Sequence, residues 1–137
     1  MKPIPHSVRE FIDAARVCRI ATVRADGAPH VIPVCPVFDG EATVYVDLGP
    51  KSATGMALRH DARIVVLIDE YDEDWTKLRK VILKCRAEEI TGAEKDAAWA
   101  GIRRKFPQYG TVDWRPRMTM ALRVYDWVQE GVESPAH

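Results

Sequence analysis

The chain has 137 residues, enough for one domain with a sizeable core and small for a complete enzyme pocket. Lys plus Arg and Asp plus Glu each number 20, so the formal charge is zero and the chain offers no general attraction for nucleic acid or an anionic membrane. The three cysteines lie far apart and form no Cys-x-x-Cys pair, which argues against a disulfide framework or zinc site and for a reducing compartment.

Residues 1–6 lack the apolar run of a signal peptide, and no segment approaches membrane-spanning length, so a cytoplasmic protein is expected. Residues 7–16 read as a short helix. Ser7-Val8-Arg9-Glu10 has the form of a capping box, and Val8, Phe11, Ile12 and Ala15 fall on one side. Residues 18–24 read as a strand, and Asp26-Gly27 as a tight hairpin turn into a second strand over 30–38. Asp39-Gly40 turns again into a third strand, 43–47, rich in Thr, Val and Tyr. Gly49-Pro50-Lys51-Ser52 breaks the pattern, and 53–60 reads as a helix despite Gly55.

Residues 63–68 form a fourth strand whose end is apolar without alternation. An acidic loop, Asp69-Glu70-Tyr71-Asp72-Glu73-Asp74-Trp75, leads to a fifth strand over 78–90. Residues 93–106 predict the longest helix, with Trp99, Ile102 and Phe106 on one face and Pro107 ending it. A last strand spans 118–128, and a frayed tail is expected over 133–137. Six strands, two links being two-residue hairpins, with helices only at connections, predict a mainly β (α+β) protein. A closed antiparallel barrel removes the exposed edges of an open sheet. The whole of 1–137 reads as one domain without internal repeats.

Nucleophilic chemistry finds no support: there is no Gly-x-Ser-x-Gly elbow, and Ser7, Ser52 and Ser134 have no local base. Cys85, between Lys84 and Arg86, is either an inert structural thiol or, on an exposed face, one with a lowered pKa. His6, His30, His60 and His137 are isolated, and the acidic loop lacks the central glycine and terminal Glu of a calcium loop, so no metal is expected. The phosphate option is stronger. Pro50 removes one donor, Lys51 supplies a charge, and Ser52 is positioned to cap the following helix, whose first amides then face an anion. Arg103-Arg104-Lys105 and the pair Arg115 and Arg117 are further basic clusters, read either as phosphate-holding or as solvated surface. Pro33 and Pro36 deny the second strand a full ladder, placing it at an edge or an open part of a barrel.

Ile20-Ala21-Thr22, Asp26-Gly27-x-Pro29-His30-Val31-Ile32-Pro33-Val34, Asp39-Gly40, Tyr45-x-Asp47 and Lys51 together resemble the flavin-binding split-barrel superfamily that includes pyridoxamine 5'-phosphate oxidase. Leu67-Ile68-Asp69-x-Tyr71-x-Glu73-Asp74-Trp75-x-x-Leu78 and Lys105-Phe106-Pro107-Gln108-Tyr109 are similar to a subgroup of small proteins assigned as dependent on FMN or the deazaflavin F420.

The resemblance implies a six-stranded antiparallel split barrel with short flanking helices, dimeric, with FMN (alternatively F420) at the dimer interface. It places the ring against Ile32, Pro33 and Val34, with Val46 and Asp47 beside it, and the phosphate on Lys51 and Ser52. Lys80 from the partner, with Arg79 as the adjacent option, reaches the same cofactor, and Trp75 either shields the dimer cleft or packs in the core. Strand two lacks the arginine that the oxidase uses near its flavin, and the oxidase's long C-terminal part has no counterpart, so vitamin B6 oxidation is not expected. The resemblance names no catalytic residue, because the cofactor carries the hydride chemistry to or from a small-molecule substrate. Two other functions stay open: a flavin-binding protein or redox sensor without turnover, and a haem-binding split barrel with His30 or His60 as axial ligand.

Overall fold

The computed structural model describes residues 1–133. It contains strands β1 (Cys18–Val23), β2 (Pro29–Val34), β3 (Val37–Phe38), β4 (Thr43–Leu48), β5 (Arg63–Glu70), β6 (Arg79–Glu89) and β7 (Met118–Glu130). Helices α1 (His6–Ala14), α2 (Ala53–His60) and α3 (Gly92–Lys105) flank them, with 3-10 turns at Trp75–Lys77 and Pro107–Gly110. All seven strands join one antiparallel sheet in the order β2-β1-β5-β6-β7-β4-β3. The two strands at its ends, β2 and β3, are separated in sequence only by Cys35 and Pro36. The chain itself therefore bridges the two edges, curling the sheet into a barrel that is split beside β2.

This is the mainly β split barrel that the sequence predicts, with one strand more. The second strand, expected over 30–38, breaks at Pro36 because proline has no N–H to continue the ladder. Before the break the strand pairs with β1, and after it with β4. The turns are longer than two residues. The first closes with Arg24 donating its amide to the Ala28 carbonyl, and the second is wrapped on Asp39, whose carboxylate accepts the amides of Glu41, Ala42 and Thr43. Gly27 and Gly40 adopt φ of 84° and 85°, which explains the glycine after each aspartate.

The capping box at Ser7 does not form. The N-cap is Pro5 without a side-chain cap, and Glu10 instead meets His6 at 3.0 Å, one helical turn away. The expectation of a frayed tail falls mostly on 134–137, outside the described residues, as do Ser134 and His137.

The barrel interior is filled by Ile20, Val44, Val46, Val66, Val81, Leu83 and Leu122, all fully buried, and Val8, Phe11 and Ile12 of α1 join the same cluster. Each such side chain contributes about 1.5–3 kcal/mol by leaving water. On the far side of β4 and β7 lies α3. Its Trp99 indole N–H donates to Thr119 Oγ1 at 3.0 Å, and Ala98 packs with Ile90 and Ala121. No helix among the described residues is long and apolar enough to cross a membrane.

Candidate functional site

The turn between β4 and α2 is built by its own backbone. Ser52 donates its amide to the Gly49 carbonyl at 3.0 Å and its hydroxyl to the same oxygen at 2.6 Å, and its Oγ accepts the Gly55 amide at 3.0 Å. Ser52 thus caps α2 as the sequence predicts, which engages its hydroxyl as both donor and acceptor. Gly55 is required because a Cβ there collides with the Gly49 carbonyl, so α2 rests directly on the turn. The amides of Ala53 and Thr54, at the positive end of the helix dipole, have no intrahelical partner. Lys51 stands exposed beside them and makes no hydrogen bond or ion pair among the described residues. A hollow of about 340 Å³ opens between this first turn and the β1–β2 loop, lined by Arg24, Ala25, Asp26, Ala53, Met56 and Ala57. Arg24 lies 3.9 Å from Asp26, and sequence reasoning had not singled it out.

The expected ring-side residues are distributed over two faces. Pro33 is exposed on the outer side of β2, while Ile32 and Val34 are half-buried against the core. Val46 is fully buried inside the barrel, so only its backbone is open to a ligand. Asp47 is an anchor. Its side chain is 3% exposed, accepts the Arg117 amide at 3.1 Å, the Thr119 hydroxyl at 2.9 Å and the Trp114 indole N–H at 3.3 Å, and lies 3.5 Å from Arg117 Nε. This carboxylate ties the segment before β7 to the end of β4, beside Gly49. Arg117, a basic residue the sequence left without a position, is thereby brought to the start of α2.

Lys80 and Trp75 lie elsewhere. Lys80 pairs with Asp69 in register near the far end of β5 from α2, and its ammonium is 3.5 Å from Glu130. Trp75 and Tyr71 are 64% and 67% exposed, and the indole N–H donates to the tyrosine hydroxyl at 3.2 Å. Trp75 is therefore not a core residue. Arg79 is occupied by Glu70 and by the Phe11 ring, 4.8 Å away. Within one chain, Arg24 and the start of α2 lie towards the start of β5 and Lys80 near its end, with Pro33 on the side of Lys80, in register with Leu67 through Arg19.

Between those groups runs an uncovered sheet face. The register aligns Pro33, Arg19, Leu67, Ile82 and Val128 in one row, and Val31, Ala21, Val65, Lys84 and Asp126 in the next. Val31 is 62% exposed, Val128 47% and Val65 36%.

Burial pushes the Cys18 and Cys85 thiols up to about 12, so Cys85 is the inert thiol and not a reactive one. Asp74 caps the turn at Thr76, and Asp72 accepts the Asp74 amide, so the acidic loop is organised around its own backbone. No group of three or more metal-ligating side chains is arranged for an ion among the described residues. His30 is half-buried opposite Thr22 in β2, and His60 is exposed at the last residue of α2.

Residues 4–127 match the family model described as pyridoxamine 5'-phosphate oxidase. Several solved structures share the fold. A haem-binding protein from Mycobacterium smegmatis superposes with a TM-score of 0.79 at 22% identity, over 92% of this chain and 53% of that one. The chain thus spans about half of that protein's length. An FAD-binding protein from Mesorhizobium loti gives 0.68 at 21% identity, covering 88% of each chain. A structure described as an F420 reductase gives 0.69 at 15% identity, over 91% of this chain and 98% of that one. No curated protein matches the sequence.

Proposed function

The chain belongs to the pyridoxamine 5'-phosphate oxidase family, and from that premise we propose that it is an oxidoreductase binding FMN, or alternatively F420, between two copies of itself. The observation that carries this reading is the start of α2. Unpartnered amides, a free ammonium at Lys51 and the Arg24-lined hollow converge there, beside a strand edge left open by the split. A terminal phosphate suits that combination of fixed dipole and mobile charge. The ring then lies along β2, where the outer edge has no strand neighbour and Pro33 presents an apolar surface. Bound there, the tricyclic ring supplies the hydride chemistry, and the protein's part is to hold the ring and keep one face open to a small substrate.

The second copy follows from what one chain lacks. The hollow is open, and Lys80, Tyr71 and Trp75 are too far along β5 to close it from within. The exposed rows through Val31, Val65 and Val128 form the kind of apolar patch that a partner covers. A copy packed on that face brings its own exposed Trp75 and Lys80 towards the ring.

An absorbance spectrum of the purified protein, with mass analysis of whatever heat releases, tests the proposal. Flavin or deazaflavin bands that bleach with a reductant and recover with an acceptor support an oxidoreductase. Bands that bleach but drive no turnover indicate a carrier or sensor, and a Soret band indicates haem and contradicts the reading.

A further inference from the structure

Segment 111–117 leaves a second hollow, of about 340 Å³, bounded by Asp113, Trp114, Arg115 and Arg117. It adjoins the start of α2. The point a Cβ on Gly49 would occupy is 3.1 Å from Arg117 Nη1 and 3.6 Å from the Ser52 Cβ, so the guanidinium overhangs the turn that carries Lys51. That guanidinium is preorganised. It stacks 4.5 Å from the Trp114 ring centroid, its Nε faces Asp47, and its backbone amide is fixed by the same carboxylate. Its two terminal nitrogens have no partner among the described residues. A stacked, oriented fork with a free end is the arrangement that recognises phosphate or carboxylate.

The local charge exceeds what one phosphate uses. Arg115 and Arg117 line this hollow, Arg117 overhangs the turn that carries Lys51, Arg59 reaches Met118 Sδ at 3.7 Å, and Lys95 donates to the Arg117 carbonyl at 2.9 Å, against Asp47 and Asp113. A terminal phosphate carries a charge of roughly −1.5 to −2, which Lys51 and the helix amides already meet. The hollow at Arg115 and Arg117 shares no lining residue with the one beside Arg24 and Ala53, so these cations bound a separate space.

We propose that the hollow formed by Trp114, Arg115 and Arg117 binds a second acidic group, phosphate or carboxylate, carried by the cofactor beyond its first phosphate. This rests on the function proposed above and assigns the site to an extended cofactor in preference to plain FMN. Asp47 is its positioning residue.

Titration of the apo-protein with FMN, FAD and F420 tests the assignment in the wild type, Arg117→Gln and Arg115→Gln. FAD probes a second phosphate and F420 probes tail carboxylates. Loss of one charge-assisted contact is expected to weaken FAD or F420 by about tenfold or more while leaving FMN within about twofold. A loss that is equal for all three ligands, or absent for both larger ones, overturns the inference and leaves the proposed function standing. A wild type that binds none of the three overturns both. Arg115 is 88% exposed and lies 3.9 Å from Asp113, so its variant keeps the test valid should Arg117→Gln perturb the fold.

Discussion

The buried carboxylate of Asp47 accepts the backbone amide of Arg117 at 3.1 Å, joining the end of β4 to the start of β7 across 70 residues of sequence. The same carboxylate takes the Thr119 hydroxyl and the Trp114 indole N–H, so one side chain fixes the segment that overhangs α2. Replacing Asp47 by Ala leaves those donors unsatisfied. The expected loss is about 2–4 kcal/mol of unfolding free energy, with a red shift of Trp fluorescence as Trp114 is released. Denaturant unfolding followed by fluorescence checks it, and an unchanged midpoint and spectrum contradict it.

Gly55 and Gly110 make a matched pair. A methyl group at Gly55 meets the Gly49 carbonyl, whereas at Gly110 it meets nothing within 4 Å. Gly55→Ala is expected to cost about 1–3 kcal/mol through overpacking, and Gly110→Ala about 0.5 kcal/mol or less. Thermal melts of the two variants decide it, and equal melting temperatures refute the close packing of α2 on its turn.

The fork between Arg123 and Glu94 sets an acid limit on stability. Arg123 donates at 2.8 and 3.0 Å and the Tyr45 hydroxyl at 2.8 Å, and these bonds hold the Glu94 carboxyl down to about 2 from its usual 4.5. Because the folded value lies below the unfolded one, the stabilisation is complete above about pH 4.5 and is lost as the pH falls towards 2. Glu94→Gln is therefore less stable than wild type at neutral pH, and the gap narrows through that window. A gap that stays constant down to pH 2 contradicts the assignment.

The outer sheet face predicts the assembly state. Val31→Glu combined with Val128→Glu puts two charges on residues 62% and 47% exposed in one chain, where a monomer tolerates them. Sedimentation is expected to show the wild type at twice the 15.5 kDa chain mass and the double variant at once that mass, still folded by circular dichroism. A wild type already at 15.5 kDa removes the shared site.

Much of this was legible in the sequence, and the exceptions have physical causes. Asp-Gly turns, the helix after Ser52 and the long helix before Pro107 announce themselves through local chemistry, and the two prolines mark β2 as an edge. The inward position of Val46 was hidden because β4 is covered on both faces, by the barrel interior and by α3, so its period-two pattern is masked. Lys51 and Ser52 are legible as a pair because they are adjacent in the chain, and the structure sets both at the start of α2. Arg24 and Arg117 approach α2 from a hairpin and from a segment 66 residues beyond Lys51, each lining its own hollow, a placement that only topology creates.

Equilibrium titration of the apo-protein with FMN and F420, in wild type and Lys51→Ala, tests the phosphate position most directly. Removing an ammonium that meets a phosphate is expected to weaken binding by about 1–3 kcal/mol, roughly five- to 150-fold. An unchanged dissociation constant, in a variant as stable as wild type, contradicts the placement of the cofactor at the start of α2.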